Sequence, residues 1–268
     1  MTSSAPITLL DLLDLQPAGD DRFVAPPHER LDKHLFGGHI AAEALRAATL
    51  TASPDRLVHS FHAYYVRRGD VTKPVLFDVH RVRDGASYST RQVSCTQDGL
   101  EIMTLLASFA EDSPGGAWQS AVAPTIHDPG TGAGMGRFAA LGNASVFDID
   151  LPPGATDRGK AHPLWIRSRH DLGSDESILR CALASMSDLS VAWTAHGNAG
   201  ARSELNAATI CHSVWFQHTP PADQWMLMEC DSSAHTGERG LANGAFYERS
   251  GRLLATFAQE AMMRPMRA

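Results

Sequence analysis

The sequence predicts an α+β fold that consists of two copies of one small domain. Three landmarks, a His-Ser pair and two turn glycines, recur in the same order in both halves of the 268 residues. They are His59, Gly85 and Gly99 in the first half and His212, Gly237 and Gly251 in the second. The offsets are 153, 152 and 152 residues, and a hydrophobic run follows the last turn each time. Solenoid repeats have only about 20 to 50 residues, so this period indicates two tandem domains.

The first half begins with a helix and continues as an antiparallel meander. Gly37 and Gly38 suit a tight turn, and the alanine-rich stretch 40–48 has strong helix propensity. Turn residues such as Asp84-Gly85 and Asp98-Gly99 then separate four β-like runs and are typical of hairpins. These runs are Leu57–Val66, Val75–Arg83, Tyr88–Gln97 and Glu101–Ala110.

The second half repeats this plan. Acidic residues at 175 and 176 precede apolar residues at helical spacing, which predicts a helix from Asp175 to Trp193. Four more strands are expected at Ala207–His218, Trp225–Ala234, Gly240–Arg249 and Arg252–Met263. We therefore expect an N-terminal domain over 1–111 and a C-terminal domain over 164–268.

Residues 112–163 are interpreted as a linker between the domains, because glycine and proline interrupt any regular pattern. The alternate glycines Gly132, Gly134 and Gly136 do not make a dinucleotide-binding loop. Met135 and Arg137 stand where such a loop requires its third glycine, and no strand leads into it.

Composition excludes several functional classes. The net charge of −7 argues against a nucleic-acid partner. Residues 1–23 lack a basic segment before an apolar stretch, so no signal peptide is expected, and no apolar run is long enough to cross a membrane. The four cysteines have neither metal-ligand nor disulfide spacing. We expect a cytoplasmic protein with mostly buried, free thiols and no metal or other cofactor.

A set of short motifs gives the most specific information. The motifs are Phe36-Gly37-Gly38, Val58–Tyr65 with Arg68-Gly69-Asp70, Arg83–Ser87 with Arg91, Ser187-Asp188-Leu189, Ala208-Thr209-Ile210 with His212-Ser213 and Trp215-Phe216, and Gln259-Glu260 before Met263-Arg264. In this order they resemble the acyl-CoA thioesterase II (TesB-like) family, from about residue 30 to the C-terminus. The resemblance implies a double hot-dog fold, in which two sheets join side by side and each wraps a helix.

The resemblance also implies an activity and a site. The activity is hydrolysis of acyl-CoA to a free fatty acid and CoA. In the family, an Asp, a Thr or Ser and a Gln of the second domain hold the attacking water, and these correspond to Asp188, Thr209 and Gln259. The acyl chain is expected between the domains, with a backbone N–H near a helix start as oxyanion donor. The chain is further expected to form a homo-oligomer, a dimer or a tetramer.

Taken without the resemblance, the three residues have structural explanations as well. Asp188 falls on the flank of the apolar stripe of the predicted helix, where a solvated carboxylate is at least as common as a catalytic one. Thr209 is an ordinary β-forming residue. Gln259 shares strand parity with apolar residues such as Phe257 and Ala261, and therefore requires polar partners if it is buried.

Other candidate residues have less support. His59 and His62 are three apart in a strand and are expected on opposite faces, which does not suit a shared metal. Cys211 and His212 are neighbours and should also face oppositely, so a buried structural thiol is favoured over a nucleophile. Five cations could contact CoA phosphates, although surface charge is the simpler explanation for most. They are Arg67, Arg68, Lys73, Arg83 and Arg91.

The chain also departs from the family pattern, at His39, Glu43, Cys211 and Gln217. These changes bear on substrate preference and rate rather than on reaction type. Two rival functions stay open at this stage: a hot-dog enoyl-CoA hydratase, which is expected to use an Asp and His pair, and a non-catalytic acyl-CoA-binding protein.

Overall fold

The computed structural model describes residues 6–28, 31, 34–111, 115–154, 162–197, 205–221 and 224–265. The helices are α1 (Leu9–Leu13), α2 (Gly37–Leu50), α3 (Glu176–Met186) and α4 (Val191–Ala195). The strands are β1 (Gln16–Gly19), β2 (Arg22–Ala25), β3 (Leu57–Tyr65), β4 (Val75–Asp84), β5 (Tyr88–Gln97), β6 (Leu100–Ala110), β7 (Phe147–Asp150), β8 (Leu164–Ser168), β9 (Leu205–Phe216), β10 (Met226–Thr236), β11 (Arg239–Tyr247) and β12 (Leu253–Pro265).

These strands form one antiparallel sheet in the order β1-β2-β4-β5-β6-β3-β9-β12-β11-β10-β8-β7. The two halves join where β3 pairs with β9, for example at Ala63 and His212. On the inner face α2 packs against β3 to β6, and α4 packs against β9 to β12. The predicted arrangement of two helix-and-meander units with joined sheets is therefore confirmed.

The helices α2 and α3 lie antiparallel in contact with each other. Gly38 at the start of α2 is so close to the end of α3 that a Cβ there would clash with the carbonyl oxygen of Ser185. At the other end, Arg46 Nη1 donates to Ser177 Oγ at 3.3 Å. Because α2 is rich in alanine, the two backbones can approach closely, and the Gly37-Gly38 pair allows the closest approach.

The predicted helix from Asp175 to Trp193 is too long. Asp175 caps the N-terminus of α3 through its side chain, but α3 ends at Met186 and α4 starts only at Val191. Between them Ser190 has a φ of +64°, which a continuing helix does not allow. The apolar periodicity extends across the break and conceals it. As a result, Asp188 lies in a turn and not on a helix face.

The segment between the domains contains more regular structure than the sequence suggests. It includes 3₁₀ turns at Gly136–Ala140 and Gly142–Ala144 and the strand β7, which pairs with β8. The backbone N–H groups of Gly130, Gly132 and Gly134 all donate to the Asp150 carboxylate. The alternate glycines thus wrap a buried carboxylate of the protein itself. Residues 155–161 lie outside the described part, and the domain limits remain a prediction.

Candidate active site

The structure brings the three predicted side chains together in one hydrogen-bonded chain. Thr209 Oγ1 donates to Asp188 Oδ1 at 3.2 Å, and Gln259 Nε2 donates to Thr209 Oγ1 at 3.0 Å. Asp188 belongs to the turn after α3, Thr209 to β9 and Gln259 to β12. Three elements of the second half therefore converge on a single carboxylate.

A β-bulge turns Thr209 towards this carboxylate. Cys211 pairs with Glu260, whereas Thr209 pairs with Ala261, so Ile210 is the extra residue on β9. A bulge shifts the alternation of side chains by one position. Thr209 consequently shares the inner face with His212, although three residues separate them. A regular strand would have placed the two on opposite faces.

Gln259 occupies the buried face that its strand parity predicts. It is fully buried, as are Ala255 and Ala261, while Phe257 is 2% exposed. Its Oε1 atom has no hydrogen-bond partner among the described residues. An unpaired amide oxygen in the core is costly, which makes this atom a place to look for a further interaction.

The Asp188 carboxyl is removed from solvent, since the residue is only 5% exposed. Burial raises the pKa of Asp188 to about 7, although hydrogen bonds from Gln259, Thr209 and the Gly38 N–H act in the opposite direction and lower it. Burial disfavours the charged form, and the donors restore part of its stability. A carboxylate with a pKa near 7 is a competent base at neutral pH, in contrast to an ordinary aspartate.

The first half of the chain completes the surroundings of Asp188. A Cβ at Gly37 would lie 2.7 Å from Asp188 Oδ2, so only glycine leaves room there. Tyr65 Oη on β3 donates to the Gly37 carbonyl oxygen at 2.8 Å and holds the start of α2 in place. Burial and the Asp188 charge raise the pKa of Tyr65 well above its usual value, so it stays a neutral donor. The Phe-Gly-Gly motif drew attention to these glycines, but not to their contact with Asp188.

The structure separates the remaining candidates from this site. His59 is the extra residue of a bulge on β3, so the predicted opposite orientation of His59 and His62 is wrong. Both rings lie on the outer face, where they contact Ser108 Oγ at 2.8 Å and Ser213 Oγ at 2.9 Å. Among the described residues, no group of three or more His, Cys, Asp or Glu side chains could hold a metal.

Cys211 and His212 do face opposite sides of β9. His212 is fully buried and Cys211 is only half-buried, so the prediction of a buried thiol at 211 is wrong. Cys95, Cys181 and Cys230 are buried, and all four thiols are free.

Four of the five candidate cations make side-chain contacts within the described part of the protein. Arg91 is a buried residue that binds Thr51 and Asp84, and it ties the end of α2 to β4 and β5. Arg67 donates to the carbonyl oxygen of Glu101, and Lys73 pairs with Asp98. The Arg68 side chain contacts His34, and the backbone carbonyl oxygen of Arg83 accepts from Arg91.

The unusual residues of α2 form a separate buried cluster. Glu43 pairs with His28 at 2.8 Å, and His39 packs edge-on against Phe36 with ring centroids 4.9 Å apart. Burial and the nearby His28 lower the pKa of His39 to about 3, so this ring is neutral at pH 7. A buried ion pair contributes little net stability, because desolvation offsets the attraction.

Two family profiles match consecutive parts of this chain. The profile of the acyl-CoA thioesterase N-terminal domain matches residues 24–110, and that of the acyl-CoA thioesterase C-terminal domain matches residues 111–263. This chain belongs to the acyl-CoA thioesterase family. The C-terminal profile begins directly after β6 and so includes the segment that we interpreted as a linker.

Individual relatives agree with this assignment. Acyl-coenzyme A thioesterase 8 of Mus musculus is 32% identical over 96% of this chain and 89% of the mouse protein. Acyl-CoA thioesterase 2 of Haemophilus influenzae is 29% identical over 96% of both chains. The crystal structure of acyl-CoA thioesterase II TesB2 from Mycobacterium marinum has a TM-score of 0.82 at 32% identity, and covers 96% of this chain and 97% of its own.

A more distant structure supports the fold alone. A hot-dog protein from Alicyclobacillus acidocaldarius superimposes with a TM-score of 0.78 at 20% identity, over 97% of this chain and 98% of its own. The predicted α+β double hot-dog fold and the resemblance to TesB-like thioesterases are confirmed. The chain is an acyl-CoA thioesterase, which hydrolyses acyl-CoA thioesters. No helix in the described part has the length and apolar character to span a bilayer.

Proposed function

We propose that this thioesterase uses Asp188, Thr209 and Gln259 to hold the water that attacks the acyl-CoA thioester. The observation that carries the proposal is the chain of hydrogen bonds from Gln259 through Thr209 to a buried carboxylate. Among these three residues, Asp188 is the general base. Thr209 and Gln259 orient the water and keep the carboxylate ionised.

The proposed reaction has two steps. The water oxygen forms a bond with the thioester carbon as one of its protons passes to Asp188, which gives a tetrahedral intermediate. The intermediate then expels the CoA thiolate as the C–S bond breaks, and the proton on Asp188 passes to the leaving sulfur. The products are the free fatty acid and CoA, and Asp188 returns to its ionised state.

The oxyanion needs a donor near Asp188, and we assign this role to the Gly37 N–H. The first N–H groups of a helix have no partner within it, and they carry the positive end of the helix dipole. The Gly38 N–H contacts the Asp188 carboxylate. The preceding residue, Gly37, also lies close to this carboxylate, because a Cβ on Gly37 would be 2.7 Å from Asp188 Oδ2. A backbone donor of this kind is preorganised for the developing charge.

Release of CoA thiol from a panel of acyl-CoAs tests the proposed site. We expect Asp188→Asn and Gln259→Ala to reduce kcat by about 10²-fold or more, as for the loss of general-base assistance. Asp20→Asn, in an exposed turn, is the matched control and should leave kcat unchanged. Equal turnover by Asp188→Asn and wild type would show that the base lies elsewhere. The same panel defines the preferred acyl chain length.

The rival functions make different predictions in this assay. A hydratase would consume an enoyl-CoA without releasing thiol. A binding protein would neither consume an enoyl-CoA nor release thiol. His196, which is close to Asp188 in the sequence and could pair with it in a hydratase, packs edge-on against His235 with ring centroids 5.5 Å apart. The family membership and this contact both favour the thioesterase.

Two properties of the whole protein belong to the proposal. We expect the chain to act as a homo-oligomer, because Tyr64, Leu106 and Trp215 expose apolar surface on the outer face of the central strands. Sedimentation equilibrium would contradict this expectation if it gave the monomer mass. We also place the protein in the cytoplasm, where free cysteines such as Cys211 stay reduced. Cell fractionation with an antibody to the chain tests the location.

A further inference from the structure

One peptide group links Tyr65 to Asp188. The Tyr65 hydroxyl donates to the Gly37 carbonyl oxygen at 2.8 Å. The next N–H along the chain, that of Gly38, donates to the Asp188 carboxylate. The Gly37 carbonyl and the Gly38 N–H belong to the same planar peptide group and point in opposite directions. Tyr65 therefore holds one end of this peptide group, and Asp188 holds the other.

The start of α2 has no cap of its own. Phe36 precedes the helix and makes no side-chain cap bond, and the first turn of the helix has no acidic residue. The first N–H groups of a helix have no partner within it. Here Asp188, in the turn after α3, accepts from the Gly38 N–H. A carboxylate of the second half therefore caps the helix of the first half.

The Gly37–Gly38 peptide needs support to keep this orientation. Glycine on both sides restricts the peptide plane less than any other pair of residues would. The Tyr65 ring lies against it, since a Cβ on Gly37 would be 3.2 Å from Tyr65 Cε1. The hydroxyl adds direction, because a carbonyl oxygen has two lone pairs and can accept from Tyr65 in addition to a helical N–H. Hydrogen bonds in a chain also polarise one another, so the bond at the oxygen makes the N–H a better donor.

We propose that Tyr65 is a positioning residue of the thioesterase, which fixes the Gly37–Gly38 peptide so that its N–H stays bonded to the Asp188 carboxylate. This N–H is one of the groups whose hydrogen bonds favour the ionised form of Asp188. Loss of the Tyr65 hydroxyl weakens that bond and leaves the others in place. The inference rests on the proposed function of Asp188 as the base, and Tyr65 acts through the peptide and is not a catalytic residue.

The other titratable side chains around this peptide stay neutral near pH 7. Burial and the Asp188 charge raise the pKa of Tyr65 well above its usual value. Burial also raises the pKa of the Cys95 thiol, which lies near Tyr65 on β5. His212 on β9 contacts the turn that carries Asp188, and burial lowers the pKa of this imidazole to about 3. None of these three groups changes its charge near pH 7.

The link can be measured from stability, without turnover. Asp188→Asn removes the ionisable group, so its gain in unfolding free energy over wild type grows with pH and levels off near pH 7. In a Tyr65→Phe background, the same gain should level off about half to one pH unit higher, as for one weakened hydrogen bond. The buried His28–Glu43 pair on α2 is present in every variant, and its titration cancels. Levelling off at the wild-type pH would overturn the proposal.

The pH profile of kcat/KM provides a second measurement. Tyr65→Phe keeps the ring and should move the midpoint upwards by about half to one unit, which lowers turnover at pH 7 about two- to fivefold. Most of this loss should disappear at high pH. Tyr88→Phe, at an exposed tyrosine of β5, is the matched control and should keep the wild-type profile. A lower plateau with an unchanged midpoint would indicate a merely structural role and would refute the proposal.

The Gly38 amide proton reports on the peptide itself. The sequence contains two Gly-Gly pairs, 37–38 and 115–116. Glycine labelled with ¹³C at the carbonyl and with ¹⁵N therefore gives carbonyl-to-amide correlations for Gly38 and Gly116 alone, and the exposed Gly116 is an internal control. The Gly38 proton signal should follow the ionisation of Asp188 and move upfield in Tyr65→Phe. An identical Gly38 signal in Tyr65→Phe and wild type would contradict the proposed link.

The same variants separate this inference from the proposed function. If Asp188→Asn turns over like wild type, the proposed catalytic role of Asp188 is wrong. If Asp188→Asn is inactive and Tyr65→Phe leaves the midpoints of stability and of turnover unchanged, this inference alone fails.

Discussion

Replacement of Thr209 by valine tests whether its hydroxyl stabilises the ionised Asp188 carboxylate. Valine retains the branched shape of threonine and removes the donor that lies 3.2 Å from Asp188 Oδ1. It also removes the acceptor of Gln259 Nε2, which lies 3.0 Å away. Because the backbone and the bulge at Ile210 are unaffected, the change is confined to the hydrogen-bonded chain.

The size of the effect follows from the charge on Asp188. A hydrogen bond to a charged group contributes about 1.5 to 3 kcal/mol, and about 1.4 kcal/mol corresponds to one pKa unit. Loss of the hydroxyl should therefore raise the pKa of Asp188 from about 7 by roughly one unit or more. At pH 7 the ionised fraction then decreases about fivefold or more, and misplacement of the water lowers the rate further.

The assay is the pH profile of kcat/KM for one acyl-CoA. For wild type, the rate should increase with pH up to a plateau above about pH 7, since only ionised Asp188 accepts the proton. Thr209→Val should move the midpoint upwards and recover part of its deficit at high pH. Thr209→Ser retains the hydroxyl and should keep the wild-type midpoint. A Thr209→Val midpoint at or below that of wild type would refute this reasoning.

Three further substitutions test the site and its support. Asp188→Asn should be more stable than wild type at pH 8 by up to about 4 kcal/mol and equally stable near pH 4. The wild-type fold loses stability between pH 3.8, the usual pKa of the carboxyl, and about pH 7, its pKa in the folded protein, because the unfolded chain ionises first. The same pH dependence of thermal unfolding in the variant and wild type would contradict this. Gly38→Ala should lower the free energy of unfolding by about 1–3 kcal/mol and remove most of the activity, because its Cβ would clash with the Ser185 carbonyl oxygen. A melting temperature and a turnover rate equal to those of wild type would contradict the close helix contact. Asp150→Ala should lower the free energy of unfolding, measured by chemical denaturation, by about 3 kcal/mol, because it leaves three backbone donors unpaired. The control Asp148→Ala, at a half-exposed ion pair, should lower it by at most about 1 kcal/mol.

The sequence predicts the elements of this fold better than the orientation of its site residues. Hairpin turns and strand parity depend on neighbouring residues, and for this reason Gln259 was correctly expected on the apolar face. The orientations of Thr209 and His59 depend on bulges, where the partner strand has one residue fewer. The single sequence does not specify which partner that is.

The end of α3 illustrates the same limit. Helical spacing continues through Leu189 and Val191, and it predicted a flank position for Asp188. In the structure Ser187 instead donates to the Ala184 carbonyl oxygen, and the chain turns through Ser190. A helical wheel has no meaning beyond the break. The burial that makes Asp188 a base arises from α2 of the other half, more than a hundred residues away in sequence.

The contacts at the two ends of the α2–α3 pair support our proposal that the reacting groups lie at one end of this pair. At one end, the Gly37-Gly38 start of α2 leaves room for Asp188, and β9 and β12 supply its polar partners. At the opposite end, the polar groups bind each other: Thr51 at the end of α2 is bonded to the buried Arg91. A guanidinium has only donors, so Arg91 cannot serve there as a base for a water. We therefore infer that each half contributes unequally, with the first supplying the helix start and the second the reacting groups.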